Sequence, residues 1–302
     1  MTQPSDIAVI SCHFNPCSYR SRQKNLERCI AQLAQQSIAP FLAHLAFRDD
    51  ERLVQTADTT IIALRGRDVM WHKERLLNLL VRRLPPRFTK VAWLDADVLF
   101  PHAGWLRQAS ELLEKYSLIQ LFDRAEQHDG TGRTAGQRLG LAAYIAAERP
   151  DPFRFDLSQT WPGLAWAARR KTLEAHGLLD TFIVGGADTY MSLAAFGRLG
   201  ASWHVDQLAP KLQEAWSAWA VHFHREVHGT VGFLPMRIVQ LAHGSKENRN
   251  YVGRMTILKK YDYDPRHDLA PDASGVWQWA SAKPLFHRAV RGYFEARKED
   301  AS

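Results

Sequence analysis

Three cysteines in 302 residues are too few, and the wrong parity, for a disulfide-built fold. Cys12, Cys17 and Cys29 lie close together, but nothing near them has zinc-finger spacing, so they read as free thiols in a reducing compartment. No apolar run reaches the roughly 18 residues that a membrane-spanning helix needs. The amino terminus, Met1-Thr2-Gln3-Pro4-Ser5-Asp6, lacks the basic-then-apolar order of a secretory leader. These absences point to the cytoplasm. Internal repeats and a Pro/Gly-rich linker are missing too, and no glycine run ends in the Lys-Ser/Thr of a phosphate loop.

What is present is an ordinary globular composition, 46% apolar and 24% charged, with a net charge of +7. No lysine block concentrates that charge. A diffuse excess of this size favours a polyanionic partner or a phosphorylated substrate. No obligate protein partner is evident.

Buried strands are expected at residues 7–10, 41–47, 59–64, 91–94, 118–122, 162–170 and 236–241, and helices at 22–36, 71–84, 104–116, 139–147, 187–199 and 206–227. Apolar runs alternating with amphipathic segments imply an α/β fold with a mainly parallel sheet. The polar stretch 123–140, with Gly130, Gly132, Gly136 and Gly140, reads as a mobile loop of lid-like composition. Residues 1–260 read as one catalytic domain. Residues 261–302 read as a helical extension packed on it.

The chemistry gathers at a few places. Val91-Ala92-Trp93-Leu94 delivers Asp95 and Asp97 to the carboxyl end of a buried strand, where ligands sit in open α/β sheets. Two carboxylates so close repel each other unless a cation lies between them, and a divalent ion bridging to phosphate is the obvious one. Taken alone, the pair equally suits helix capping. Phe14-Asn15-Pro16 forms a loop after the first strand, a common nucleotide seat. Lys73 and Asn78 are polar groups beside a buried helix face, and solvated-edge positions would look the same. Gly163 allows close backbone approach to a ligand, or equally to a neighbouring element. Gly185-Gly186-Ala187-Asp188 turns into a helix. Asp188 suits either a helix start or a base at a cleft. His222 and His224 at i, i+2 on a helix point apart and read as structural. Tyr251 and Arg254 are expected to share a helix face.

The ordered set of Lys73 and Asn78, Asp95-x-Asp97, Gly163, Gly185-Gly186-x-Asp188 and His243-Gly244 resembles the GT-A class of nucleotide-sugar glycosyltransferases over most of residues 6–260. That resemblance implies a divalent metal, Mn2+ or Mg2+, and a nucleotide-diphosphate-sugar donor, a UDP-sugar being favoured. It implies Asp97 as direct metal ligand, Asp95 reaching metal, ribose or sugar, and His243 as a further ligand. Lys73, Arg249 and Arg254 become candidate cations for phosphate. Phe14, Asn15, Asn78 and Gly163 become candidate donor contacts. The Gly-Gly-x-Asp turn is similar to the Gly-Gly-Glu-Asp element of galactosyltransferases, with Ala187 where that family carries Glu. It implies Asp188 as base, hence inversion, with Gly186 near the acceptor.

A narrower set, Phe14-Asn15-Pro16, Trp71-x-Lys73-Glu74-Arg75-x-Leu77-Asn78 and His243-Gly244-Ser245 through Asn248-Arg249-x-Tyr251-x-x-Arg254, resembles phage and environmental glycosyltransferases, some of which are implicated in sugar modification of hydroxymethylated pyrimidines in DNA. The implied acceptor is 5-hydroxymethylcytosine in DNA, a glycan or cell-surface saccharide being the alternative. Trp161, Trp166 and Trp277 are candidate stacking surfaces. A nucleotidyltransferase and a non-catalytic nucleic-acid-binding module are the rival classes.

Overall fold

The computed structural model describes residues 4–49, 51, 59–147, 160–200, 202–251 and 253–300. Four strands, β1 (Ile7–Phe14), β2 (Phe41–Ala46), β3 (Thr60–Arg65) and β4 (Lys90–Leu94), pair in parallel in the order β4-β1-β2-β3. Beyond β4 lie Ala165–Arg169, Leu118–Gln120 and Val231–Phe233, completing seven strands. Of these, Ala165–Arg169 runs antiparallel to both its neighbours. The sheet is therefore mixed and mainly parallel, with helices on both faces.

All eight residues of β1 are buried, as a strand covered on both faces must be. Alternate side chains feed two cores. Ala8, Ile10 and Cys12 pack with Leu76, Leu77 and Leu80 of the helix Lys73–Arg83. Ile7 and Val9 pack with Leu106, Ala109 and Leu113 of the helix Trp105–Lys115. The helix Lys73–Arg83 is buried all round from Lys73 to Val81. It carries Lys73, Glu74 and Arg75 inside, so each needs a partner of opposite charge. The carboxyl-terminal helix Pro284–Ala296 adds Phe286, Val290, Tyr293 and Phe294 to the same core as Ile10.

A second sheet orders Val98–Leu99, Arg237–Gln240, Arg124–His128, Thr134–Gly140 and Thr160–Trp161. This corrects the expected mobile loop at 123–140. The segment is a hairpin whose turn is held by Asp129, its Oδ1 accepting from the backbone N–H groups of Thr131 and Arg133. Gly132 supplies the positive φ, +85°, that this turn needs. Its strands are largely polar and half exposed, so no apolar alternation announced them. The strand expected at 236–241 belongs to this second sheet. The long helix begins at Pro210, whose fixed φ suits the first helical position, four residues later than expected.

Candidate active site

The chain leaves β1 for β2 on one side, while β4 lies on the other. A crevice therefore opens at the carboxyl ends of β1 and β4. His13 and Phe14 enter it from β1, and Asp95 and Asp97 from the turn that ends β4. The strand stops at Leu94, so the two carboxylates share a cleft through this turn and not through strand alternation. Asp95 N–H donates to Leu164 O at 2.8 Å, and Asp97 O accepts from Leu241 N–H at 2.8 Å. Both sheets thus fix the turn. The crevice has two lobes, about 100 and 330 Å³, which share Trp71, Lys73, Asp95, Gln240 and Arg249.

Lys73 stands where the lobes meet. Its Nζ lies 2.7 Å from Asp95 Oδ1, 3.0 Å from Asp188 Oδ2 and 3.8 Å from Glu74 Oε1. Asp188 sits in the first turn of the helix Ala187–Ala195, behind Gly186 with φ +102°. Its carboxylate lies so close to Gly163 that a Cβ there would meet Oδ2 at 2.8 Å, so the glycine is required for the aspartate's seat. Burial pushes the Asp95, Asp97 and Asp188 carboxyls above the usual range. Lys73 opposes this at Asp95 and Asp188, and Arg249 at Asp97. Burial also pushes Glu74 up to about 8, against the pull of Lys73. One ammonium serves three carboxylates, and a fourth lies nearby. Asp97, with Arg249 and His243 as its neighbours, is the carboxyl group that Lys73 leaves open to an added cation.

His243 Nδ1 lies 2.9 Å from Leu241 O and 3.3 Å from Asp97 Oδ2. A carbonyl can only accept, so Nδ1 carries the proton and Nε2 keeps its lone pair, the tautomer of a metal ligand. Burial holds the ring neutral, its pKa down to about 3. The nitrogen facing Asp97 is thus the protonated one, and Nε2 is the His243 atom left to meet a cation. The expected triple does not converge: Asp95 is bound to Lys73. Among the described residues, the three-residue group whose ligand atoms all lie within 4.8 Å of one another is His13, His44 and Glu51. Two protein ligands suffice where substrate phosphate oxygens complete the shell.

The smaller lobe is closed by the carboxyl-terminal tail. Glu299 lines it, its side chain 1% exposed, 2.9 Å from Arg22 Nε and 3.5 Å from Arg249 Nη2, and paired with Arg297. These arginines hold the Glu299 carboxyl down at about 2 despite burial. Asp300 then accepts from the N–H groups of Arg20 and Ser21 at 2.9 and 2.8 Å, capping the helix Arg20–Gln35 in place of a local residue. Arg22, Arg297 and Glu299 were not picked out from sequence, and Trp71 and Glu74 stood there only as members of the motif around Lys73. Trp71 had a signal, lying two residues from Lys73. Glu299 had none, because Arg22 and Arg249, the partners that tie it to the cleft, lie at least 50 positions away.

The other expected residues divide. Phe14, edge-on to Trp71 at 5.2 Å between centroids, forms part of the smaller lobe. Gly163, Gly186, Trp161, Arg249 and Arg254 all line the larger lobe. Arg254 lies 5.1 Å from the Tyr251 ring centroid, but the two share no helix: Arg254 opens the helix Arg254–Lys260 and Tyr251 precedes it. Four residues belong elsewhere. Trp166 is fully buried in the centre of the sheet, its indole donating to Pro162 O, so it cannot touch an acceptor. Asn78 exchanges hydrogen bonds with the Leu178 backbone and Asp180, tying the helix to a distant loop. Asn15 clips its own loop through Tyr19. Trp277 lies under Arg75, 3.9 Å from guanidinium to ring, outside the cleft.

No family model matches the chain. No curated protein matches it. Among solved structures it is similar to a protein described as a nucleotide-diphospho-sugar transferase from Desulfovibrio desulfuricans, at 10% identity and TM-score 0.34, over 96% of each chain. It is also similar to the catalytic domain of Drosophila β1,4-galactosyltransferase 7 in complex with xylobiose, at 11% identity and TM-score 0.32. That match covers 62% of this chain and spans 59% of the galactosyltransferase chain. A third likeness is to 4-diphosphocytidyl-2C-methyl-D-erythritol synthase from Anaerococcus prevotii, at 15% identity and TM-score 0.33, over 57% of this chain and 74% of that one.

Proposed function

We propose that the chain is a metal-dependent glycosyltransferase of the GT-A class, moving a sugar from a nucleotide-diphosphate-sugar, UDP-sugar favoured, to an acceptor hydroxyl. The observation that carries this reading is the double clamp of Lys73, which joins Asp95, shared by both lobes, to Asp188 of the larger lobe, the smaller lobe being taken as the donor lobe. Group transfer needs donor and acceptor to meet at such a junction. Asp97 and His243 would hold the divalent ion, which when bound stabilises charge on the leaving diphosphate. Asp95, oriented by Lys73, is left to contact ribose or sugar. Asp188, with its basicity raised by burial, takes the acceptor proton, which gives inversion. The direct test is incubation with Mn2+ and a panel of sugar nucleotides. Release of nucleoside diphosphate supports the reading, whereas pyrophosphate would make the chain a nucleotidyltransferase.

Asp188→Asn separates base from binding residue. The amide oxygen still accepts from Lys73, so the fold should hold. Transfer is expected to fall on the order of 10²–10⁴-fold with donor affinity nearly unchanged. A collapse of donor affinity instead would make Asp188 a binding residue.

The acceptor reading rests on charge. Basic and acidic side chains balance in the donor lobe, but the larger lobe sets Lys73, Arg138, Arg249, Arg254 and Arg297 against Asp95 and Asp188. Trp161, Tyr251 and Tyr293 also line it. Guanidinium planes with aromatic rings suit a nucleobase and its phosphates. Together with the narrower motif resemblance, this favours 5-hydroxymethylcytosine in DNA as the acceptor. Such DNA, incubated with sugar nucleotides and digested, should yield nucleosides with a glycosyl mass increment, and its binding should weaken steeply with salt. Transfer to a saccharide with no increment on DNA would reassign the acceptor.

A further inference from the structure

We propose that His13, His44 and Glu51 form a second cation site, distinct from Asp97–His243, with zinc as its preferred ion. His13 and His44 are register partners on the parallel strands β1 and β2, so both rings leave the same face of the sheet. Their centroids lie 5.1 Å apart at 85°, and both side chains are buried. Glu51 approaches from the segment after β2, its Oε2 fixed by the Phe47 N–H at 2.9 Å. The ligand atoms of all three lie within 4.8 Å of one another.

One distance gives this cluster its meaning. His44 Nε2 and Glu51 Oε1 are 3.3 Å apart. That is long for a charge-assisted hydrogen bond, which runs about 2.7–2.9 Å. It equals the edge of a tetrahedron whose ligands stand about 2.0–2.1 Å from a central ion, the bond lengths of zinc to imidazole and carboxylate. His44 Nδ1 is buried with no hydrogen-bond partner among the described residues, and the other ring nitrogen, Nε2, faces the Glu51 carboxylate, where an ion would replace its proton. Two imidazoles and one carboxylate suit zinc better than magnesium or calcium, which prefer oxygen. An ion here would pin the segment after β2 onto β1, beneath the wall that His13 gives the donor lobe. The site does not depend on glycosyl transfer.

The test uses the full chain, stripped with chelator and dialysed against one or more equivalents of zinc, or of cobalt as a spectroscopic probe. Retained zinc is measured by plasma mass spectrometry. One equivalent is expected in the wild type, together with intense tetrahedral cobalt bands and a rise in Tm. Glu51→Gln and His44→Gln should lose all three, while Asp97→Asn keeps them. Glu51→Gln retains an oxygen for Phe47 N–H, so it remains informative if His44→Gln misfolds. Absence of retained zinc in the wild type, or equal retention in Glu51→Gln, would overturn the site and leave His44–Glu51 a plain buried ion pair.

Discussion

Asp97→Asn is expected to lower transfer about a thousandfold without lowering the melting temperature. The carboxyl is 18% exposed, lies 3.3 Å from His243 Nδ1, and is pushed above its ordinary range by burial. Loss of a metal ligand removes charge stabilisation felt most strongly in the transition state, and a thousandfold corresponds to about 4 kcal/mol. The same change removes a buried charge that folding disfavours. The backbone bond from Leu241 N–H to Asp97 O is untouched, so the turn survives. Activity assays and thermal melts, both run with and without Mn2+, check the two halves. Near-normal turnover of the variant in chelator would remove the metal scheme, and a large fall in Tm would make Asp97 a structural residue.

Lys73→Met should have the largest effect on stability. The ammonium, 8% exposed, is the shared partner of Asp95 and Asp188, which are 26% and 24% exposed. Removing one partner of a buried ion pair costs about 3–5 kcal/mol, because the other charge stays behind uncompensated. The partial solvent access of the aspartates places this near the lower bound. The pH dependence identifies the cause. Without Lys73, both carboxyls have native pKa values raised further above their unfolded values. The native variant then binds more protons than the unfolded chain through that window, so its stability falls as pH rises. The deficit relative to wild type should therefore shrink at acid pH and grow toward neutrality. A deficit that did not change with pH would mean lost packing and not lost charge. Denaturant melts across the pH range decide the matter.

The parts of the molecule legible in sequence are those with local patterns. β1 and β4 are continuous apolar runs because the sheet covers them on both faces, and their carboxyl ends carry Phe14, Asp95 and Asp97 to one crevice. Lys73, Asp188, Gly163 and His243 were readable as chemical types in order, and the fold brings them to the same cleft. What was not legible depends on distant partners. Asn78 looks like a donor contact until Leu178, 100 residues later, claims its amide. Trp166 looks like a stacking platform, yet its strand lies between β4 and Leu118–Gln120, where both faces are covered. The hairpin Arg124–Gly140 was hidden because its strands carry arginine, glutamine and threonine at half-exposed positions.

The tail that lines the donor lobe changes what the +7 charge means. Arg22, Arg249 and Arg297 are not a vacant basic socket, because Glu299 already serves as their counter-anion. On the proposed function, a diphosphate arriving there would trade places with a carboxylate and would not simply neutralise free cations. Long-range attraction into this lobe is correspondingly weak, and selectivity shifts from total charge to valence: a doubly or triply charged phosphate group displaces a singly charged carboxylate, whereas a simple monoanion gains little by the exchange. Asp300, one residue beyond Glu299, caps the helix Arg20–Gln35, so a ligand that displaced Glu299 would also pull on the end of a helix that packs through Leu26, Cys29, Ile30 and Leu33 against the rest of the protein.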